Sequence, residues 1–581
     1  MLNRWFALNG AVMATIVIVP HAAAAPTVVD HTAASGLVAT HNAIEETIPG
    51  GQELMTGGMG VGDFDRDGDQ DLFWISGGTG PDKLFINQGD GTFVDEAASW
   101  GLTAVHCGNG VAVGDYNNDG WPDLYVTSFG DGPGPAMPGK NRLYRNNGGR
   151  SFTNVAVAAG VNVSSATQPN GFGAAFGDYD LDGDLDLAVA AWSVAADGNR
   201  LFRNEGDGTF TDVTTTALPA TVHTVRGFQP AFVDMDGDRY PELLLTGDFE
   251  TSRYYRNLGD GTFSDETASS GTGLDENGMG QTVGDFDNDG RPDWYVTSII
   301  GVTPPDIDGW GDHPGNMLYM NQGRNVYVEN SEAAGTLDGA WGWGTVATDL
   351  DQDGWLDLVE VNGWRTVAEY NNRMAKLFHN LGDGTFAEIA ATSGFTHTAD
   401  ARSLAYLDAD LDGDLDLVVG SNEAALTYYR NDSVGGTWLR ISLDTSTNDA
   451  LAPDGYGTRL VATVAGASQV RQINGSPSYL ATSELTAHFG FGAAPSVDEL
   501  RIEWTTGQTT VLTAVPTNRH LALIAPKRAD LDASGDVGAP DLAAMLSAWG
   551  PVVDEAGAIA DLDGSGTVNG VDLATLLAQW G

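Results

Sequence analysis

The 581-residue chain holds a single cysteine, Cys107. That excludes an internal disulfide framework, so stability must come from packing or bound metal. Cations are scarce too: 27 Lys plus Arg stand against 79 Asp plus Glu, for a net charge of −52. So acidic a chain repels phosphate backbones, which argues against nucleic acid as a partner. Past the N-terminus no apolar run is long enough to span a bilayer. H-E-x-x-H, G-x-S-x-G and P-loop motifs are all missing, which removes the usual signatures of three large enzyme classes. His106 beside Cys107 makes no dyad, because adjacent strand residues point to opposite faces.

What is present is one acidic loop written seven times, starting at Asp63, Asp115, Asp178, Asp234, Asp285, Asp349 and Asp408. The period of 51 to 64 residues points to a propeller or solenoid. In the first copy Asp63, Asp65, Asp67 and Asp71 occupy positions 1, 3, 5 and 9. The second offers Asp115, Asn117, Asp119 and Asp123, and the third Asp178, Asp180, Asp182 and Asp186. The fourth has Asp234, Asp236, Asp238 and Glu242, with Arg239 where the others carry Gly at position 6. Asp285, Asp287, Asp289 and Asp293 form the fifth, and Asp349, Asp351, Asp353 and Asp357 the sixth. Asp408, Asp410, Asp412 and Asp416 complete the series. Carboxylates gathered on one turn repel unless a hard cation sits among them, and an all-oxygen donor set selects Ca2+. The carbonyl at position 7 is expected to add a main-chain oxygen.

Short β-branched and aromatic runs flank every loop, such as GVAVGD before and DLYVTS after the second, so each loop joins two strands of a hairpin. A third run (KLFINQ, RLYRNN, KLFHNL) and a fourth after a Gly-rich turn (GTFVDEA, GTFTDVT) complete each unit. The last unit lacks its fourth run, and PTVVDHTAASG at 26–36 resembles it. The fold expected is therefore mainly β: a seven-bladed propeller over 26–436, closed by an N-terminal strand that removes the open sheet edge.

These G-D-x-D-x-D-G-x-x-D-L units resemble FG-GAP/VCBS repeats, which implies calcium-loop blades. Residues 437–526 carry TWLRISLD, Asn448, GYGTRL, QVRQING, SYL, HFGFG and ELRIEWTTGQ. That order resembles the ASPIC/UnbV domain found behind such repeats in the cartilage acidic protein family. From the residues alone, the alternating runs predict a small β domain. Residues 528–581 hold a duplicated segment, with Asp530, Asp532, Ser534 and Asp541 matched by Asp561, Asp563, Ser565 and Asp572. Each set suits a calcium hand followed by a short amphipathic helix. The pair resembles a dockerin, which implies a cohesin-like partner.

Arg4, the apolar stretch Trp5–Val19 and the small run Ala22–Ala25 form a secretory signal over 1–24, so a secreted or cell-surface protein is expected. Three functions compete. The first is binding of a glycan or extracellular protein, with Trp310, Trp341, Trp343 and Trp364 as candidate rim aromatics for ligand stacking. The second is a polysaccharide-active enzyme, as the dockerin resemblance implies, and the third is a surface scaffold. The binding reading is preferred, with no catalytic residues assigned.

Overall fold

The computed structural model describes residues 25–42, 52–131, 140–163, 171–194, 198–301, 313–532, 534–553, 555–562 and 565–580. The expected signal segment 1–24, Trp310 and Asp563 lie outside the described residues.

Each acidic loop joins the first two strands of a four-stranded antiparallel sheet. In the first sheet Met59–Gly62, Asp71–Trp74, Lys83–Asn87 and Phe93–Asp95 pair in chain order. Six further sheets open with His106–Gly114, Ala174–Gly177, Arg226–Val233, Gln281–Gly284, Gly342–Thr348 and Ala401–Leu407. Opening strands of neighbouring sheets touch, and that of the last touches that of the first. Between the fourth and fifth sheets Gln281 Nε2 donates to the Gln229 carbonyl at 2.8 Å. The repeated sheets are consistent with a propeller. As the sequence predicts, Val28–Asp30 supplies the fourth strand of the last sheet, with Val28 opposite Asn431.

A sheet packed between two others is buried on both faces, so its strands read as continuous apolar runs rather than alternating ones. Asp71–Trp74, Asp186–Val189 and Asp293–Val296 are accordingly buried at every residue. Side chains interdigitate between sheets, as where Phe73, Ile75 and Leu84 meet Val111, Val113 and Leu124. Space near the axis is tight: a β-carbon added at Gly60 would lie 2.7 Å from the side chains of Val111 and Val113.

A repeated polar link ties the sheets together. From the third strand of each, an Asn side chain donates to a loop carbonyl of the preceding sheet. Asn146 reaches Phe64 O, Asn204 reaches Tyr116 O and Asn257 reaches Tyr179 O, all at 2.8 Å. Asn321 and Asn380 continue the series to Met235 O at 2.9 Å and Phe286 O at 3.0 Å. Asn431 bonds Leu350 O at 2.9 Å, and Asn87 closes the circle on Ala409 O at 2.8 Å. All seven asparagines are buried, where a lost hydrogen bond costs most.

Two sheets build the next domain. Trp438–Asp444 lies between Ala487–Gly490 and Arg519–Ile524, while Arg459–Val464 lies between Ala467–Gln472 and Ser496–Glu503, with Thr509–Pro516 outermost. One segment of it threads into the ring. Leu480 N donates to Gln229 Oε1 at 2.9 Å, and Val111 N donates to Leu480 O at 3.2 Å. Thr345 N donates to Ser478 Oγ at 2.9 Å, and Tyr479 OH to Met55 O at 3.0 Å. Ala481 and Thr482 pair in parallel with Met59 and Gly60. One short segment thus touches opening strands from several sheets, which puts it at the axis. Tyr479 is fully buried, its ring 4.8 Å from Trp343 and 5.7 Å from Phe228.

The tail forms helices Ala539–Ser547 and Gly570–Ala578 over a small core that includes Val537, Met545, Leu562 and Leu576. Only part of each apolar stripe turns inward, since Leu546, Trp549, Leu577 and Trp580 stay exposed.

Tyr479→Ala is expected to destabilise the protein by about 3–5 kcal/mol, the usual cost of emptying a buried aromatic site. Trp549→Ala, at 48% exposure, should cost about 0.5 kcal/mol or less. Denaturant unfolding measures both, and a wild-type midpoint for Tyr479→Ala would remove the threaded segment from the core.

Candidate metal centres

The seven loops are variants of one hydrogen-bond scheme that holds their carboxylates together. In five of them the position-1 carboxylate accepts from the N–H groups of positions 5 and 6. In the first loop Asp63 accepts from Asp67 and Gly68, both at 3.0 Å, and Asp178, Asp285 and Asp349 repeat this. The position-5 carboxylate accepts from position 7, as Asp67 does from Asp69 at 3.0 Å. The position-9 carboxylate reaches back to position 2, as Asp71 does to Phe64 N at 2.9 Å. In six loops its other oxygen accepts from the backbone of the linking asparagine, as Asn87 N to Asp71 at 2.8 Å and Asn146 N to Asp123 at 2.7 Å, whereas in the fourth the second Glu242 oxygen makes no hydrogen bond. In those six the same asparagine therefore fixes the position-9 carboxylate and ties the loop to its neighbour. The sequence strings contain it in every third strand, but its partner lies in the preceding repeat, so no local pattern reveals the role.

Backbone conformation explains the fourth loop. Positions 4 and 6 are both left-handed in the first loop, with φ of 55° at Arg66 and 101° at Gly68. The fourth loop exchanges the residue types, with φ of 82° at Gly237 and 81° at Arg239, so the turn keeps its shape without glycine at position 6. Asp234 still accepts from Gly237 N at 2.8 Å and from Arg239 N at 3.0 Å.

Not every loop oxygen is satisfied. Buried oxygens of Asp65, Asn117, Asp180, Asp351 and Asp410, all at position 3, make no hydrogen bond, nor does one each of Asp408 and Glu242. Such atoms are costly unless something else partners them. Single ligand atoms of Asp63, Asp65 and Asp71 lie within 4.8 Å of one another, as do those of Asp178, Asp180 and Asp186, and of Asp234, Asp236 and Glu242. Asp285, Asp287 and Asp289 converge similarly. Burial pushes the Asp71 carboxyl up to about 9 and Asp293 up to about 8. Asp123, Asp186 and Asp416 are also held well above the usual range, burial again being the main cause. Clustered, dehydrated, partly unpartnered oxygens are the donor set that suits a hard divalent cation.

In the tail, Asp530 accepts from Ser534 N at 3.0 Å and Gly535 N at 2.7 Å, and Asp541 from Asp532 N at 3.1 Å. Asp561 accepts from Ser565 N at 3.1 Å and Gly566 N at 2.6 Å, and Asp572 from Asn569 N at 2.7 Å.

The rim expected for the aromatics is not built by the described ones. Trp341 and Trp364 are each 6% exposed and stack at 4.7 Å, while Trp343 is 1% exposed. Arg402 lies 4.6 Å over the Trp343 ring and 5.4 Å over Trp364. Packing against one another and a buried guanidinium consumes their faces. His106 is likewise sealed in, 2.7 Å from Asp82 Oδ2 and 3.2 Å from Ser128 Oγ.

The loop end of the sheets is covered by the following domain. Arg66 pairs with Asp454 at 3.0 Å, Arg459 Nη2 donates to Gly290 O at 3.1 Å, and Gly492 N to Gln352 O at 2.7 Å. Buried Arg440 binds Glu484 at 3.0 Å and lies 3.9 Å from Asp408, while Asp408 N donates to Glu484 Oε2 at 3.1 Å. Sequence gave no sign that this domain would sit on the acidic loops.

Residues 63–126, 134–189, 182–245, 234–296 and 363–419 match the FG-GAP-like repeat. Residues 448–530 match ASPIC and UnbV. Cartilage acidic protein 1 of Mus musculus is 32% identical over 197 residues, covering 32% of this chain and 28% of that protein. The Xenopus tropicalis protein of that name is 31% identical over 219 residues, 34% of this chain and 30% of its own length. The Homo sapiens protein is 32% identical over 206 residues, 34% and 29% respectively. The chain thus spans under a third of the curated relatives it matches. It carries FG-GAP-like repeats followed by an ASPIC and UnbV domain, and it shares homology with cartilage acidic protein 1.

Proposed function

We propose that this is a secreted, calcium-dependent seven-bladed propeller that acts by binding an extracellular ligand. The observation that carries the calcium reading is the set of buried, unpartnered oxygens at position 3 of five loops. Calcium would be held by positions 1, 3, 5 and 9 with the position-7 carbonyl. Extracellular calcium modules bind at roughly 10⁻⁴ to 10⁻³ M. At ten times Kd each ion stabilises the native state by about 1.4 kcal/mol. Seven would add about 10 kcal/mol, comparable with the net stability of a whole domain. With the next domain lying over the loops, these ions serve the fold rather than an open reaction site.

The binding surface is assigned to the opposite end. Among the described residues, 363–375 join the second strand Asp357–Asn362 to the third strand Lys376–Asn380, so they leave the sixth sheet at the end away from its acidic loop. The tail is read as a calcium-hand pair of dockerin type, with Asp530, Asp532, Ser534, Asp541, Asp561, Asp563, Ser565 and Asp572 as its ligands and a cohesin-like partner.

Excess EDTA should lower the thermal midpoint markedly, and an unchanged midpoint would contradict the calcium reading. Asp285→Ala should cost more than Asp234→Ala, because the fourth loop departs from the shared pattern at Arg239 and Glu242; equal losses would remove that ranking. In chelator, folded-state carboxyls near 9 (Asp71) and 8 (Asp293) hold protons that the unfolded chain has released. Their contribution is complete below about pH 4 and lost as pH rises towards 9, so the chelated midpoint should fall between pH 5 and 9. Calcium, by favouring the ionised forms, should flatten or invert that slope. A glycan array with a parallel reducing-sugar assay tests the functional reading: retention without product supports binding, whereas released sugar replaces it with polysaccharide cleavage.

A further inference from the structure

One position in the third strand differs from sheet to sheet. It precedes the linking asparagine in the third strand: Ile86, Arg145, Arg203, Arg256, Met320, His379 and Arg430. Of the arginines, Arg256 lies 3.3 Å from the loop acid Asp236, while Arg203 and Arg430 pair with Glu205 and Asp432 beyond the loops. In the sixth sheet it is an imidazole. His379 Nδ1 lies 3.0 Å from Asp357 Oδ1, and its Nε2 lies 3.9 Å from Asp351 Oδ2. One ligand atom each from Asp351, Asp357 and His379 falls within 4.8 Å of the others.

From this geometry we infer that the sixth loop also takes, in competition with calcium, a first-row divalent cation such as Mn2+ or Zn2+ at a mixed nitrogen–oxygen site, with His379 Nε2 as a ligand beside Asp351. The inference rests on the reading of the loops as cation sites. An ionised Asp357 can only accept, so Nδ1 carries a hydrogen, and a cation that displaces the proton of Nε2 would find the lone pair of that nitrogen turned towards Asp351. Asp357 also accepts from Asn380 N at 2.8 Å and Leu350 N at 3.3 Å, which fixes it as the orienting carboxylate. A carboxylate that holds the far nitrogen of a ligating histidine is the usual support of such sites.

Asp351 is the second observation. It is 3% exposed, and neither of its carboxylate oxygens makes a hydrogen bond. At 3.9 Å the Nε2–Oδ2 gap is too long for a hydrogen bond. Two metal–ligand bonds of about 2.0–2.2 Å bridge such a gap. Calcium prefers oxygen throughout, whereas imidazole suits first-row transition ions. The six other loops place Arg, Ile or Met at this position, so the sixth alone joins nitrogen to the carboxylates.

The probe is Mn2+, added at one equivalent to the full chain in saturating calcium and examined by pulsed electron paramagnetic resonance. The wild type should show coupling to one ¹⁴N nucleus. His379→Gln should abolish that coupling and raise the Mn2+ Kd by about tenfold or more, the scale on which a lost support or ligand acts. His379→Arg, a residue that four other sheets carry at this position, should do the same while leaving the thermal midpoint in calcium near the wild-type value. Bound Mn2+ without nitrogen coupling in the wild type would overturn the proposal, as would coupling that survives His379→Gln. Elemental analysis separates the two readings: calcium present without nitrogen-coupled Mn2+ removes this site alone, whereas a folded chain that binds neither ion removes both.

Discussion

Confined negative charge governs this structure. Each acidic loop draws carboxylates to one turn, dehydrates several of them and leaves oxygens such as those of Asp65, Asp180 and Asp410 without a hydrogen-bond partner. Main-chain N–H groups at positions 2, 5, 6 and 7 supply part of the compensation, and buried Arg440 supplies more beside Asp408. The remainder has no compensation from the described protein atoms. Because in six of the seven sheets the position-9 carboxylate is held by the same asparagine that bonds the preceding loop, charge compensation and sheet-to-sheet registration are one device there. Altering either disturbs both.

The second domain belongs to the same system. It lies across the loop end and sends Ser478–Thr482 among the opening strands, where Tyr479 packs against Phe228 and Trp343. That segment fills space that a ring of inner strands would otherwise leave open. It also gives polar groups such as Gln229 Oε1 and Val111 N a partner at the axis. The axis is thus filled, while at the loop end a cavity of about 650 Å³ stays open between the first two loops and the second domain, lined by Asp63, Asp115, Asp449 and Asp454.

Much of this was legible in the residues. The repeated acids at positions 1, 3, 5 and 9, the strand runs beside them and the terminal strand at 26–36 are local patterns at a regular period, and each forms the expected element. The asparagine links were visible as letters in KLFIN, RLYRN and RYYRN, yet their meaning was hidden, because Asn146 bonds a carbonyl 82 residues earlier. The tryptophans misled for a related reason. Trp341, Trp343 and Trp364 sit near pattern-breaking insertions, but their stacking with Arg402 joins residues from separate strands and turns them inward. Arg239 breaks the glycine pattern of the other loops, and only the backbone shows that Gly237 carries the left-handed conformation two residues earlier.

By itself the sequence determined the repeating hairpin, the oxygen-rich donor set and the β character of the following domain, since these depend on spacing within a few residues and on side-chain chemistry. Tertiary structure alone decided which oxygens are left unpartnered, where the second domain rests, that Ser478–Thr482 reaches the axis, and that His379 faces Asp351. Those outcomes arise from contacts between residues tens to hundreds of positions apart, whose geometry is set by how seven sheets close on one another and not by any local pattern.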